Sequence, residues 1–312
     1  MAQFDPRLIE RAMRYLYTKE TICSWEIERE KPDKARLARF TALLQKADGV
    51  GPLSQETLVA LQKEIVDPRF ALQTYRDFQN YVGEEPALGQ LIVHYIPPKP
   101  EDVLFLMDEL VTCYERMVTS AVHPAVAAAI LAFQFVFIHP FWGGNGRTHR
   151  FLIHYALRRA GFTPPGIVFP VSATILREPR KYDIILELFS KPLMELITDY
   201  HVETSGKMEV MQQTRELYQF LDYTPYSEYL FECIERTITT DFRSELQFLQ
   251  DYDAAKEQIK EIVDMPDQQI DLFIRCIRQN GGKLSSRKRQ QYFSMLSDDE
   301  ITQMEQKIAF HD

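Results

Sequence analysis

Fourteen consecutive uncharged residues, Ala125 to Ile138, limit how the chain can fold, because all of them except one glutamine are apolar. A helix needs roughly 20 such residues to cross a membrane, so this run is too short to span one. It predicts a helix buried in a protein core. The flanking segments, Pro100 to Val118 and Arg147 to Ala160, repeat apolar residues at helical spacing and are expected to surround it. The predicted fold class is mainly α.

One interval departs from the helical pattern. Two β-prone runs, residues 79–82 and 91–96, lie between Tyr75 and Pro98. The residues between the runs that favour a turn are Gly83, Pro86 and Gly89. We predict a β-hairpin in this interval.

The order of these segments predicts three regions. Residues 1–68 are expected to form an N-terminal helical region, and residues 69–204 a core that contains the hairpin and a glycine-rich loop. From about residue 205 the composition shifts to long polar amphipathic helices, which predicts a C-terminal helical domain over residues 205–312.

The charge of the chain argues against two classes of partner. It has 36 Lys and Arg residues and 45 Asp and Glu residues, a net charge of −9. No global positive field is expected to attract nucleic acid or an anionic membrane. The basic run at residues 283–289 is interpreted as a solvated helix face. Any negatively charged ligand therefore needs a local basic site.

The cysteines and the N-terminus favour the cytoplasm. The four cysteines are far apart and show no CxxC spacing, so we predict reduced thiols and no cysteine metal site. The first sixteen residues alternate charged and apolar side chains. They lack the apolar run and the small-residue cleavage site of a signal peptide, so export is not expected.

Residues 139–150, HPFWGGNGRTHR, combine several groups suited to phosphate chemistry. Three glycines expose consecutive N–H groups where a helix begins, and both the amides and the helix dipole favour an anion there. Arg147 and Arg150 lie one turn apart, so both can face one phosphate chain. His139 has an unperturbed pKa near neutrality, as a general base requires. Each piece alone is more often structural, but the combination favours a site.

The segment resembles the signature of the Fic family, HPFx(D/E)GNGRxxR, and departs from it at one defined position, Gly143. The resemblance implies a helical core that transfers a phosphate-containing group, most often AMP from ATP, to a Ser, Thr or Tyr hydroxyl of a target protein. It also implies these roles: His139 as general base, Gly144 and Gly146 as the anion hole, and Asn145, Arg147 and Arg150 as phosphate ligands.

The departure at Gly143 bears on the metal. The family pattern has an Asp or Glu there, which holds the Mg²⁺ that bridges the α- and β-phosphates. Glycine offers no side-chain oxygen, so Mg²⁺ binding is expected to be weak, although Mg²⁺ keeps several waters and can be held largely by phosphates. The resemblance implies ATP as the donor, and we predict no side chain that binds the metal.

The N-terminal helix contains a second resemblance. Ser24 and Glu28 are four residues apart and share one helical face, while Trp25 and Ile27 can anchor the helix elsewhere. Many Fic proteins have a helix with the pattern (S/T)xxxE(G/N), whose glutamate pairs with the second arginine of the signature. The resemblance implies an inhibitory pair of Glu28 with Arg150. Arg29 replaces the usual Gly or Asn.

Weaker similarities extend over most of the chain. The predicted hairpin is similar to the family's flap, which lies over the active site and holds the target segment. Residues 172–186 are loosely similar to the segment whose tyrosine helps to enclose the nucleotide base, here Tyr182. Residues from 204 onward resemble the helical tail of longer members. Members of the family often form dimers, so the resemblance allows a homodimer.

Three functions follow from these observations. The first is transfer of AMP, or a related nucleotidyl group, from a nucleoside triphosphate to a protein hydroxyl, with autoinhibition by the N-terminal helix. The alternative is a nucleotide-binding regulator whose transfer chemistry is weak or lost because Gly143 replaces the acid. A third is a DNA-binding regulator built on the C-terminal tail, and steep salt-dependent binding would be its mark.

Overall fold

The structure, a computed structural model, describes residues 5–84 and 91–308 and is mainly α-helical, as predicted. These residues separate into two compact units, residues 13–238 and residues 5–12 with 239–308. The helices up to residue 236 are α1 (Pro6–Ile27), α2 (Lys34–Gln45), α3 (Gln55–Ile65), α4 (Pro100–Thr119), α5 (Pro124–Ile138), α6 (Asn145–Arg159), α7 (Val171–Arg177), α8 (Pro179–Leu196) and α9 (Thr224–Arg236).

The apolar run forms α5, the buried helix that the sequence predicted. It packs against α4, α6 and α9. A helix that is apolar on all sides must be surrounded, which explains this central position. Among the residues that the structure describes, no helix has the length and apolar character that a membrane span requires.

Helix α6 lies against α5 and buries polar groups as well as apolar ones. Arg147, His149 and Arg150 are all at most 5% exposed. A buried charge is costly unless other groups pair with it, so these side chains require partners from neighbouring elements. The position of α6 thus determines where a polar site can form.

The predicted hairpin is present, with strand β1 (Val82–Glu84) antiparallel to β2 (Ile92–Tyr95). The first strand starts three residues later than predicted. The side chains of Gln79 and Asn80 instead donate hydrogen bonds to the carbonyls of Pro97 and Phe141. The predicted turn residues Pro86 and Gly89 lie outside the described residues.

A second hairpin, which we did not predict from the sequence, pairs β3 (Tyr200–Val202) with β4 (Met208–Val210). Val202 lies opposite Met208, and Gly206 in the turn has a φ of 83°. The signal was present, since two short β-prone runs flank a Ser-Gly pair. The shift to long helices begins only after this hairpin, with α9.

The helices beyond residue 242 pack around an apolar core of their own. They are α10 (Arg243–Ile262), α11 (Asp267–Arg278), α12 (Ser286–Tyr292) and α13 (Asp298–Lys307). Helix α13 begins with a capping box in which Ser297 and Glu300 bind each other's backbone N–H groups, as predicted from the sequence. The predicted domain bounds at residues 68 and 204 stay a prediction.

Candidate active site

The loop between α5 and α6 is held rigidly by its own residues. His139 ends α5 in the left-handed conformation, with a φ of 52°. Phe141 is fully buried. The Asn145 amide accepts a hydrogen bond from the Phe141 N–H at 3.1 Å and donates one to the Phe141 carbonyl at 2.8 Å. Asn145, a predicted phosphate ligand, therefore closes the loop in this structure.

Two of the loop glycines are required by the space around them. Gly144 has a φ of 82°, and a Cβ atom there would lie 2.5 Å from Val66. A Cβ atom on Gly146 would lie 2.1 Å from the Glu28 carboxylate oxygen Oε1. A carboxylate oxygen thus occupies the space beside Gly146 in the first turn of α6, where the helix dipole favours an anion.

Arg150 is the centre of a buried polar cluster with the end of α1. It is 1% exposed, and its Nε donates to the Ser24 hydroxyl at 2.8 Å. Its Nη2 donates to the Ser24 carbonyl at 2.7 Å and to Glu28 Oε1 at 2.8 Å. The structure therefore brings together Ser24, Glu28 and Arg150, as the resemblance implied. The remaining Arg150 nitrogen, Nη1, is buried and has no hydrogen-bond partner among the described residues.

Arg147 contacts Trp25 and Glu30, which we did not predict from the sequence as site residues. Its guanidinium lies 4.0 Å from the centre of the Trp25 ring, and its Nη2 donates to Glu30 at 3.3 Å. Trp25 thus packs inside the site, whereas we predicted that it anchors α1 away from the face of Ser24 and Glu28. The Glu30 side chain is 47% exposed, so its ion pair contributes only about 0 to 1 kcal/mol. The stacking on Trp25 is the stronger contact because it is desolvated.

His139 presents one defined nitrogen to the site. Its Nδ1 lies 3.1 Å from the Val136 carbonyl, and a carbonyl only accepts, so Nδ1 carries the proton and Nε2 keeps its lone pair. Burial lowers the pKa of His139 to about 4, with the Arg76 cation adding to the effect. The ring is neutral at pH 7 and able to accept a proton.

Glu28 is charged at neutral pH. Burial raises the pKa of Glu28. Arg150, with smaller contributions from Arg147 and His139, lowers it by a larger amount, so the net pKa lies below the usual glutamate value. The free energy from this pair is therefore fully present above the ordinary glutamate pKa and is lost only as the pH falls below it. The contact is not a switch near neutrality.

Two further predicted positions differ in their surroundings. A Cβ atom on Gly143 would meet nothing within 4 Å. Tyr182 is buried, its ring centre 6.2 Å from that of His149, and burial raises its pKa to about 12. Within the described ranges, no group of three or more His, Cys, Asp or Glu side chains could hold a metal ion.

The end of α1 explains why position 29 matters. The N–H groups of Arg29 and Glu30 donate to the carbonyls of Glu26 and Trp25, which is the Schellman arrangement of a helix C-terminus. Arg29 has a φ of 56°, the left-handed conformation that usually selects glycine at this position.

We expect Arg29→Gly to stabilise the protein by about 1 kcal/mol, because it removes the strain of a side chain in the left-handed region. Thermal or urea unfolding measures the change. Arg29→Ala is the matched control, since it removes the same charge but keeps a Cβ atom. Equal stability of the two variants would contradict the strain argument.

Comparison with known proteins shows a family similarity over part of the chain. The Fic/DOC family model matches residues 52–157. The protein adenylyltransferase Fic of Drosophila willistoni is 33% identical over 109 residues, which are 34% of this chain and 20% of that protein. Its namesake from Nematostella vectensis is 29% identical over 131 residues, 41% of this chain and 28% of that protein. The matches thus span between a fifth and about a quarter of these relatives.

A solved structure matches over a longer part of the chain. A Fic domain containing signaling protein from Bacteroides thetaiotaomicron superimposes with a TM-score of 0.56, covering 78% of this chain and 91% of that chain at 18% identity. At this identity the similarity concerns the fold alone. Residues 52–157, which include the loop of His139 and the first turns of α6, therefore match the Fic/DOC family.

Proposed function

We propose that this protein transfers AMP, or a related nucleotidyl group, from a nucleoside triphosphate to a Ser, Thr or Tyr hydroxyl of a target protein. The main support is the Glu28 carboxylate, which lies beside Gly146 and against Arg150 in the first turns of α6. A site that accepts one anion between a helix N-terminus and a buried arginine is suited to a phosphate group. The unpartnered Arg150 Nη1 offers a further donor.

The chemistry assigns one task to each group. In the proposed reaction, the target hydroxyl attacks the α-phosphorus in line, and its proton moves to Nε2 of His139. The new bond joins the hydroxyl oxygen to the α-phosphorus, and the bond from the α-phosphorus to the bridging oxygen breaks, so pyrophosphate leaves. Arg147 and Arg150 stabilise the charge on the phosphates, and positioning with charge stabilisation supplies most of the rate.

The proposed regulation is autoinhibition by α1. Glu28 and a phosphate of the bound triphosphate would compete for Arg150 and for the space beside Gly146. The same helix end holds Arg147 through Trp25. Productive binding of the triphosphate therefore requires the end of α1 to withdraw from both arginines.

A transfer assay with ATP labelled on the α-phosphate, repeated with the other triphosphates, tests the proposal, and self-labelling is the convenient readout. We expect covalent label from the α-position and none from ATP labelled on the γ-phosphate, since pyrophosphate is the leaving group. Nucleotide binding measured by calorimetry without any covalent label would instead favour the alternative, a nucleotide-binding regulator.

That alternative is supported by the open space at Gly143, because none of the described residues places a carboxylate there. The donor set at this position does not fit a metal held by protein side chains. Any Mg²⁺ in the reaction would be held by the phosphates and water.

We expect Gly143→Asp to raise Mg²⁺-dependent transfer at least about tenfold, because a carboxylate ligand would hold the metal at the phosphates. The backbone at Gly143 has no positive φ and a Cβ atom meets no neighbour, so aspartate fits without strain. Gly143→Asn is the control of equal size. Equal transfer by the Asp and Asn variants would contradict the role of a metal ligand here.

A further inference from the structure

Arg76 is a buried arginine outside the family signature, and it lies between the β1–β2 hairpin and the loop of His139. It is 2% exposed. Its guanidinium donates to backbone carbonyls: Nε to His139 at 3.0 Å, Nη1 to Phe78 at 2.9 Å, and Nη2 to Pro98 at 2.6 Å and Ile138 at 3.5 Å. Its own N–H donates to the Pro140 carbonyl at 2.9 Å.

The charge of Arg76 is compensated in an unusual way. No carboxylate among the described residues pairs with it, and its guanidinium hydrogen bonds go to backbone carbonyls. Burial lowers its pKa to about 10, which still leaves it protonated at neutral pH. Burial of a cation without an ion-pair partner lowers the stability of the fold. Features that lower stability are often found at functional sites.

The hydrogen bonds of Arg76 join both ends of the hairpin to the backbone of His139. Phe78 precedes β1, Pro98 follows β2, and His139 supplies the candidate base. The His139 backbone is in the left-handed region, so a hydrogen bond to its carbonyl helps to keep a strained conformation. Gln79 adds a bond of 2.9 Å to the Pro97 carbonyl, which joins the two ends of the hairpin, and Asn80 adds one of 3.1 Å to the Phe141 carbonyl, which joins the hairpin to the loop.

We propose that Arg76 is a positioning residue for the transfer reaction, because one buried guanidinium fixes the loop of His139 and both ends of the hairpin relative to one another. The inference rests on the proposed function, and it takes the hairpin to hold the target segment, as its resemblance to the family's flap implies. Arg76 sets the separation between the hydroxyl and Nε2. A misplacement of about 1 Å at this step costs on the order of 100-fold in rate.

Arg76 has a second effect, through its charge. The groups that act on the His139 ring are the Val136 carbonyl and Glu28, which raise its pKa, and burial and Arg76, which lower it. A cation close to the imidazole disfavours the protonated ring. Arg76 therefore helps to keep Nε2 free to accept the proton, and removal of its charge raises the pKa of His139.

The test compares Arg76→Met and Arg76→Lys in a full-length chain that also contains Glu28→Gly. For Arg76→Met we expect the rate constant of self-labelling at saturating ATP to fall about 100-fold, with the calorimetric Kd for ATP unchanged within about threefold. Lysine keeps the charge but loses the planar fork, so Arg76→Lys should recover part of the rate. Arg158→Met is the control, because Arg158 also donates to backbone carbonyls, those of Gln45 and Ile167.

A titration of His139 by NMR supplies a readout that needs no transfer, with the resonance assigned by its loss in His139→Gln. We expect the pKa of His139 to rise in Arg76→Met and to stay unchanged in Arg158→Met. If the Glu28→Gly parent transfers no label, the proposed function fails, and the titration still decides whether the charge of Arg76 acts on His139.

Three results would overturn the positioning role. The first is a labelling rate in Arg76→Met within about threefold of the parent. The second is an unchanged pKa of His139 in that variant, which would contradict the effect of the Arg76 charge. The third is an equal loss of rate in Arg158→Met, which would indicate general destabilisation. If Arg76→Met does not fold, Arg76→Lys decides, because it keeps the charge but loses the planar fork that reaches the four carbonyls, and an unchanged labelling rate there would contradict the proposal.

Discussion

Glu28→Gly should raise the rate of self-labelling from α-labelled ATP by about 5- to 150-fold, the range of coupling between two competing contacts. The Glu28 carboxylate bonds to Arg150 at 2.8 Å and occupies the space beside Gly146, so its removal frees both for a phosphate. The Kd for ATP should fall in the same variant, since the triphosphate no longer competes with α1. A transfer assay and calorimetry on the same preparations measure the two effects.

Two controls separate release of the site from damage to the helix. Glu28→Gln keeps the length of the side chain but loses its charge, and we expect it to fall between the wild type and Glu28→Gly. Glu26→Gly makes the same substitution two residues earlier, at an exposed position, and should leave labelling unchanged. A gain in Glu26→Gly equal to that in Glu28→Gly would show that loosening of α1, and not the carboxylate, controls transfer.

His139→Ala should lower the labelling rate by about 10²- to 10⁴-fold in the Glu28→Gly chain, the usual contribution of a general base. Nε2 of His139 is the free nitrogen because Nδ1 donates to the Val136 carbonyl. ATP binding should persist, since the arginines and the helix N-terminus remain. Loss of label with an unchanged Kd for ATP is the expected pair of results.

The pH dependence of labelling adds a second readout for His139. Burial lowers its pKa to about 4, so the base is neutral at pH 7 and becomes protonated only in acid. The rate in the Glu28→Gly chain should therefore fall as the pH approaches 4. His123→Ala, at the N-cap of α5, is the control histidine variant. Labelling that survives in His139→Ala would contradict the assignment of the base.

Much of the fold was predictable because it depends on local patterns. The apolar run of α5 has to be buried wherever it lies, and the Ser297 capping box is complete within four residues. The start of β1 was predicted three residues too early. Gln79 and Asn80 form bonds to residues 18 and 61 positions away, which local propensity does not show.

The candidate site was predictable to the extent that its groups are adjacent in sequence. The loop at residues 139–150 places a base, glycine amides and two arginines together through its own spacing, and the resemblance supplied the pairing of Glu28 with Arg150. The stacking of Trp25 on Arg147 could not be predicted in this way. The two residues are 122 positions apart, and only the packing of α1 on α6 brings them together.

Arg76 shows most clearly that some features of the site depend on the folded chain and not on local sequence. In the sequence it is one arginine among 36 basic residues, with no motif and no acidic partner to single it out. Its role depends on the carbonyls of residues 78, 98, 138 and 139, which converge on one buried guanidinium only in the folded chain. Backbone carbonyls belong to every residue type, so side-chain identity cannot encode which of them a buried cation will meet; the tertiary structure decides it.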